Sequence, residues 1–180
     1  MYRYLLVVLL IVFLFCQTDR KHIILSYGAN FNIPSTDFAS DETAFGKRIG
    51  FHYWLEKKLT VSIVYNIRSF KTDIDSTVQD FNFEHISLIP SYRLWESRSD
   101  FFMISLPLSL SISEEFTVSG KKKFASYRFE TIHYSIYIAY GVFTDNFWFN
   151  FSYQHSLSDV IIDFPSKIHS IQIDLGLILK

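Results

Sequence analysis

His133 and Ser135 are the pair whose types and spacing come nearest to chemistry: a base and a hydroxyl nucleophile with one residue between them. A separation of two puts both on one face of a strand. A working pair also needs a third group to orient the imidazole, and the sequence offers no identifiable acidic partner. Asp41 and Glu42 are adjacent carboxylates without the alternating oxygen ligands of a calcium loop. No histidines have metal-ligand spacing, and Cys16 is the single cysteine, so no disulfide and no cysteine-based metal site can form. Asn150-Phe151-Ser152 fits the glycosylation triplet but falls inside a strand pattern. The broader constellation is dispersed along the chain: Arg48, His52, Arg68, His85, Arg93, His133 and Asp174 recur at the polar positions of an alternating pattern.

That alternation defines the elements that must position these residues. In residues 59–70, Leu59, Val61, Ile63, Tyr65 and Ile67 share one face, and Thr60, Ser62, Asn66 and Arg68 the other, with Val64 the exception. Residues 147–154 set Phe147, Phe149, Phe151 and Tyr153 against Trp148, Asn150, Ser152 and Gln154. Residues 171–179 oppose Ile171, Ile173, Leu175, Leu177 and Leu179 to Gln172, Asp174, Gly176 and Ile178. The pattern predicts strands over residues 22–32, 46–55, 58–70, 80–94, 100–113, 124–142, 146–156 and 167–179. Their connections alternate. Short turns fall at residues 56–57, 96–99 and 144–145, and long polar loops at 33–44, 71–79, 114–123 and 157–166. An even strand count with short turns at one end and long loops at the other is the plan of an all-β, eight-stranded, antiparallel up-and-down transmembrane barrel.

Alternation alone leaves two ways to fold such a barrel. A soluble, exported lipocalin-like barrel turns its apolar faces inward; a membrane barrel turns them out. The polar positions carry mainly small neutral groups, as in Ser26, Gly28 and Asn30, in Ser105, Ser109 and Ser111, and in Thr131, His133 and Ser135. Lysines gather instead in turns and loops, as at Lys57-Lys58 and Lys121-Lys122-Lys123. Rows such as Phe102, Ile104, Leu106, Leu108, Leu110 and Ile112 would overfill an eight-stranded interior. Turned outward they make a lipid-facing band about 25 Å tall. Tyr53, Tyr65, Tyr92, Tyr134, Tyr140 and Tyr153 fall on that face, where an interfacial girdle belongs. The membrane reading is the expectation.

Residues 1–15 run MYRYLLVVLLIVFLF, a basic start followed by an apolar stretch too short to span a bilayer comfortably. Residues 1–16 are therefore read as a signal peptide cut after Cys16, and residues 17–180 as one barrel domain. Lipidation at Cys16 is the alternative, against which Phe13-Leu14-Phe15 lacks the small residue such sites prefer. With 18% aromatic residues, 49% hydrophobic residues and a net charge of −1, the chain is not of a disordered class and has no basic field for nucleic acid.

The layout of residues 17–180 resembles the small outer-membrane β-barrels of Bacteroidota called PorT-like. The local phrases that carry the likeness are Ser26-Tyr27-Gly28-Ala29-Asn30-Phe31, Gly50-Phe51-His52 before the strand at 59–70, and Ile86-Ser87-Leu88-Ile89-Pro90. The resemblance implies an outer-membrane location and a barrel fold more than an activity. His133-Tyr134-Ser135 is also similar to the His-x-Ser arrangement of an outer-membrane lipid A deacylase, but Ile136 stands where that enzyme has Asn. The inward parity of His133 and Ser135 points them away from lipid. The expected protein is non-enzymatic, without metal or cofactor, and a monomer. Its lumen should be plugged by a network of Arg48, His52, Arg68, His85, Arg93, His133 and Asp174, and its loops should be free to meet a protein or surface glycan. An outer-membrane lipid-modifying enzyme is the alternative.

Overall fold

The computed structural model describes residues 23–36, 40–42, 44–55, 58–74, 77–118, 121–123, 130–160, 162 and 166–179. The expected signal peptide at 1–16 and its expected cut after Cys16 lie outside them. Among the described residues every regular element is a strand: β1 (Ile23–Thr36), β2 (Ser40–Glu42), β3 (Ala44–Trp54), β4 (Leu59–Ile74), β5 (Thr77–Glu96), β6 (Asp100–Ser105), β7 (Leu108–Val118), β8 (Lys121–Lys123), β9 (Ile132–Phe143), β10 (Phe147–Ser156) and β11 (Ser166–Leu179). All pairings are antiparallel. They run from β1 through β3, β4 and β5 to β6 and β7, then β9, β10 and β11, and β11 pairs again with β1. The ladder closes on itself, which removes the open edges that a sheet of this size would otherwise expose.

The extra segments come from breaks in the staves. β6 and β7 are one stave interrupted at Leu106-Pro107, where Pro107 has no N–H to give the ladder. Leu106 N still donates to Pro90 O at 3.3 Å and Ser135 N to Pro107 O at 3.3 Å, so the stave holds its place between β5 and β9. β2 continues the line of β3 along β4, with Glu42 opposite Lys71 and Lys47 opposite Ile67.

Three of the long loops expected at one end are largely strand. β4 and β5 stay paired from Leu59↔Tyr92 to Ile74↔Thr77, so residues 71–74 and 77–79 are the arms of a hairpin. Thr72, Val78 and Gln79 supply β-compatible residues there, and cross-strand pairing outweighs the polar composition that reads as loop. β7 runs on to Val118 and pairs with β8, so residues 114–118 and 121–123 are strand as well. β1 likewise extends to Thr36. The sixth strand was expected over 124–142. β9 begins at Ile132, residues 124–129 lie outside the described set, and Thr131 is exposed in a bend rather than inward.

The polarity is inverted relative to a soluble barrel, contrary to the lipocalin-like alternative. Asn30, Ser87, Asn150, Ser152, Ser170 and Gln172 are buried, while Tyr27, Ile49, Leu106, Tyr134, Phe149 and Leu175 are exposed on the outside. Glu84 and Glu96 bracket the outward row Ile86, Leu88, Pro90, Tyr92 and Leu94. At about 3.3 Å per residue and about 40° of tilt, that row covers about 20 Å and the span from Glu84 to Glu96 about 30 Å. Tyr65 donates to Glu84 at 2.7 Å near one rim, and Tyr140 donates to Asp100 at 3.0 Å near the other. Tyr53 departs from its expected outward place: it is 7% exposed, between buried His52 and Trp54.

Candidate functional site

The interior is the one place where the singled-out residues converge, and it is layered. At the short-turn end Ile24, Trp54, Phe101, Met103, Tyr137, Ala139 and Trp148 form an apolar cluster. Phe101 and Trp148 lie nearly parallel, with centroids 6.3 Å apart, and Trp54 meets Phe101 edge-on at 5.5 Å. At the other end Phe70, Phe81, Phe83, Val160 and Ile168 form a second cluster, with Phe70 stacked on Phe81 at 4.7 Å. Val160 reaches this cluster from the β10–β11 connection, held by Val160 N to Ser166 O at 2.7 Å and Glu130 N to Val160 O at 3.0 Å.

Between the clusters lies a polar belt. Arg48 on β3 and Asp174 on β11 form an ion pair, Nε to Oδ1 at 3.0 Å, with both side chains almost wholly buried. Asn150 Nδ2 donates to the second Asp174 oxygen at 3.2 Å and to the Tyr137 hydroxyl at 2.7 Å. Higher up, Gln154 is the hub. Its carbonyl accepts from Arg68 Nη2 at 2.5 Å and from Gln172 Nε2 at 2.7 Å, and its own Nε2 donates to Ser135 Oγ at 2.6 Å. His52 sits between two hydroxyls, Ser26 Oγ at 2.7 Å and Ser62 Oγ at 2.8 Å. Serines make short cross-strand links, Ser87 to Ser109 at 2.7 Å and Ser105 to Ser91 at 2.7 Å.

The expected network is therefore several groups rather than one. Arg48 and Asp174 are joined directly; Arg68 reaches β10 across the lumen; His85 and His133 meet edge-on at 5.0 Å. Arg93 stands apart at the short-turn end, its guanidinium 3.8 Å over the Trp54 ring and 3.7 Å from Glu96. The alternation already sets Trp148 on the inward face, but the apolar residues that join it and those of the second cluster fall to the outward rows when every apolar position is assigned to lipid. The signal was present: Phe81 and Phe83 share the odd parity of His85 and Arg93, which places them inside.

His133 and Ser135 are 8% and 4% exposed and face this interior. Ser135 is engaged by Gln154, and His133 packs against His85. Among the described residues no cluster of three metal-ligating side chains occurs. Outside the belt, the emergent strands carry a polar face: Ala44, Ser69, Lys71, Asp80, Asn82 and Thr117 line a shallow groove of about 250 Å³, with Lys71 and Asp80 paired at 3.5 Å.

No protein-family model and no curated protein matches the sequence, so the informative comparisons are structural. Neisserial surface protein A is similar over 86% of this chain and 96% of its own, at 17% identity and a TM-score of 0.65. Ail, the attachment invasion locus protein of Yersinia pestis, solved with the heparin analogue sucrose octasulfate, is similar over 89% of this chain and 100% of its own, at 16% identity and a TM-score of 0.58. The outer membrane protein OprG of Pseudomonas aeruginosa is similar over 88% and 95%, at 12% identity and a TM-score of 0.55. The fold is that of small outer-membrane β-barrels.

Proposed function

We propose that the protein is an exported, monomeric and non-enzymatic outer-membrane barrel of the PorT-like kind, and that its working part is the wall of strand raised beyond the apolar band by β4, β5, β7 and β8. The observation that carries this reading is the filled interior. With an apolar cluster at each end and a hydrogen-bonded belt between them, the described residues fill the lumen along its length. The polar face around Ser69, Lys71, Asp80, Asn82 and Thr117 is left as the accessible surface, suited to a protein or glycan partner. That Ail was solved with a heparin analogue supports a glycan as one such class.

Two experiments test the reading. Purified protein in planar bilayers is expected to give no steady conductance, and stable ohmic pores would replace the plugged barrel with a channel. Pull-down from intact cells is expected to lose its partner when the β4–β5 hairpin is shortened from Ile74 and Thr77 down toward the band; retention of every captured protein would move the partner surface elsewhere. The non-enzymatic part has its own test. His133→Ala or Ser135→Ala should leave lipid A composition unchanged by mass spectrometry, whereas a lost acyl-chain modification would make this an enzyme.

A further inference from the structure

Among the described residues, the charges in the lumen do not balance. Arg48 has Asp174 and Arg93 has Glu96, but among the described residues no carboxylate lies within ion-pair distance of Arg68. The Arg68 side chain is nonetheless 5% exposed, and its resolved partner is the neutral Gln154 carbonyl. A buried guanidinium without a counter-charge is among the most costly things a protein interior can hold. The neighbouring groups can donate too. His85 lies on β5 diagonally across from Arg68, since Asn66 is opposite His85 and Arg68 opposite Phe83, a spacing long side chains bridge. Ser111 on β7 is directly opposite His85. Arg68 Nε, His85 Nδ1 and Ser111 Oγ are all buried, and none has a hydrogen-bond partner among the described residues. The His133 ring meets His85 edge-on at 5.0 Å, with its own Nε2 buried and unpartnered among the described residues, and the Phe83 ring stacks on His85 at 5.9 Å.

We infer that Arg68, His85 and Ser111 together hold a small inorganic anion of halide size inside the barrel. The guanidinium supplies the charge. The Nε–H, an Nδ1–H on neutral His85 and the Ser111 hydroxyl supply three donors on adjacent strands β4, β5 and β7, a set that an anion satisfies at once. A bridging water would satisfy the donors and leave the charge. Because the described residues close the lumen at both ends, the anion enters as the barrel folds and stays trapped with it.

The test refolds the full barrel in detergent in sodium bromide and, separately, in sodium gluconate at equal ionic strength. The expected results are a bromide peak in the anomalous map of crystals grown from the first sample, lying between Arg68, His85 and Ser111, and an unfolding midpoint that rises saturably with bromide over gluconate. Ser111→Ala and His85→Phe should weaken that rise, and Arg68→Gln should abolish it. Should Arg68→Gln fail to fold, the wild-type map and the two milder variants decide. Equal midpoints in the two salts, or bromide found only on the outer lysines and arginines, would overturn the assignment in favour of water.

Discussion

Asp174→Ala is expected to lower the unfolding free energy of the barrel by about 3–5 kcal/mol, the range for removing one partner of a buried ion pair. Asp174 is fully buried and Arg48 is 2% exposed, with 3.0 Å between them, so water does not replace the lost carboxylate. Arg48 would be left as a buried charge facing the Tyr137 ring at 5.9 Å, and Asn150 would lose one of its two acceptors. The site is also tight. A Cβ at Gly28, opposite Asp174 in the β1–β11 register, would collide with Asp174 Oδ1, so only glycine leaves the carboxylate its place. Gly28→Ala should therefore destabilise in the same direction. Removing both charges with Arg48→Met and Asp174→Ala should recover most of the loss, because the cost lies in the orphaned charge rather than in the missing contact. Urea unfolding of the refolded barrel, followed by tryptophan fluorescence, measures all four proteins. An Asp174→Ala midpoint equal to the parent's would mean that the pair does not hold the belt together.

How much of this was readable in advance depends on which physical signal each residue carries. The barrel plan was legible because period two survives through most of each stave: Arg68 and Trp148 sit on the polar parity and are buried, and Phe149 and Leu175 on the apolar parity are exposed. The strand pairings of residues 71–74 with 77–80 and of 116–118 with 121–123 were not, because outside a membrane both faces of a strand can be polar and the alternation that marks a strand disappears. Partner choice inside the lumen was out of reach for a different reason. Asp174 faces Gly28 and Asn150 across its ladders, yet it pairs with Arg48, two strands away by way of β1. Arg68 crosses the lumen to Gln154 on β10. Such choices depend on register and on the barrel's curvature, neither of which a single strand's pattern encodes.

Trp148→Ala should cost about 3–5 kcal/mol, the range for emptying a large aromatic site in a packed core, and should still give no conductance. Trp148 is among the largest fully buried side chains. It stacks over Phe101, meets the His52 ring at 4.7 Å, and lies so close to β11 that a Cβ at Gly176 would come within 2.8 Å of it. The strand ladder around it cannot collapse into the gap, since every stave is hydrogen-bonded on both sides, so the cavity persists and its full cost is felt. An apolar cavity of that kind stays dry. Above it the Arg48–Asp174 pair, the Gln154 hub and the stacked Phe70 and Phe81 still fill the lumen in series. Loss of stability and loss of closure should thus separate: the urea midpoint falls while planar-bilayer recordings stay silent. A variant as stable as the parent would remove the short-turn cluster from the core of the fold. Steady current through Trp148→Ala would show that this indole alone had been the seal, with the polar belt open to ions behind it.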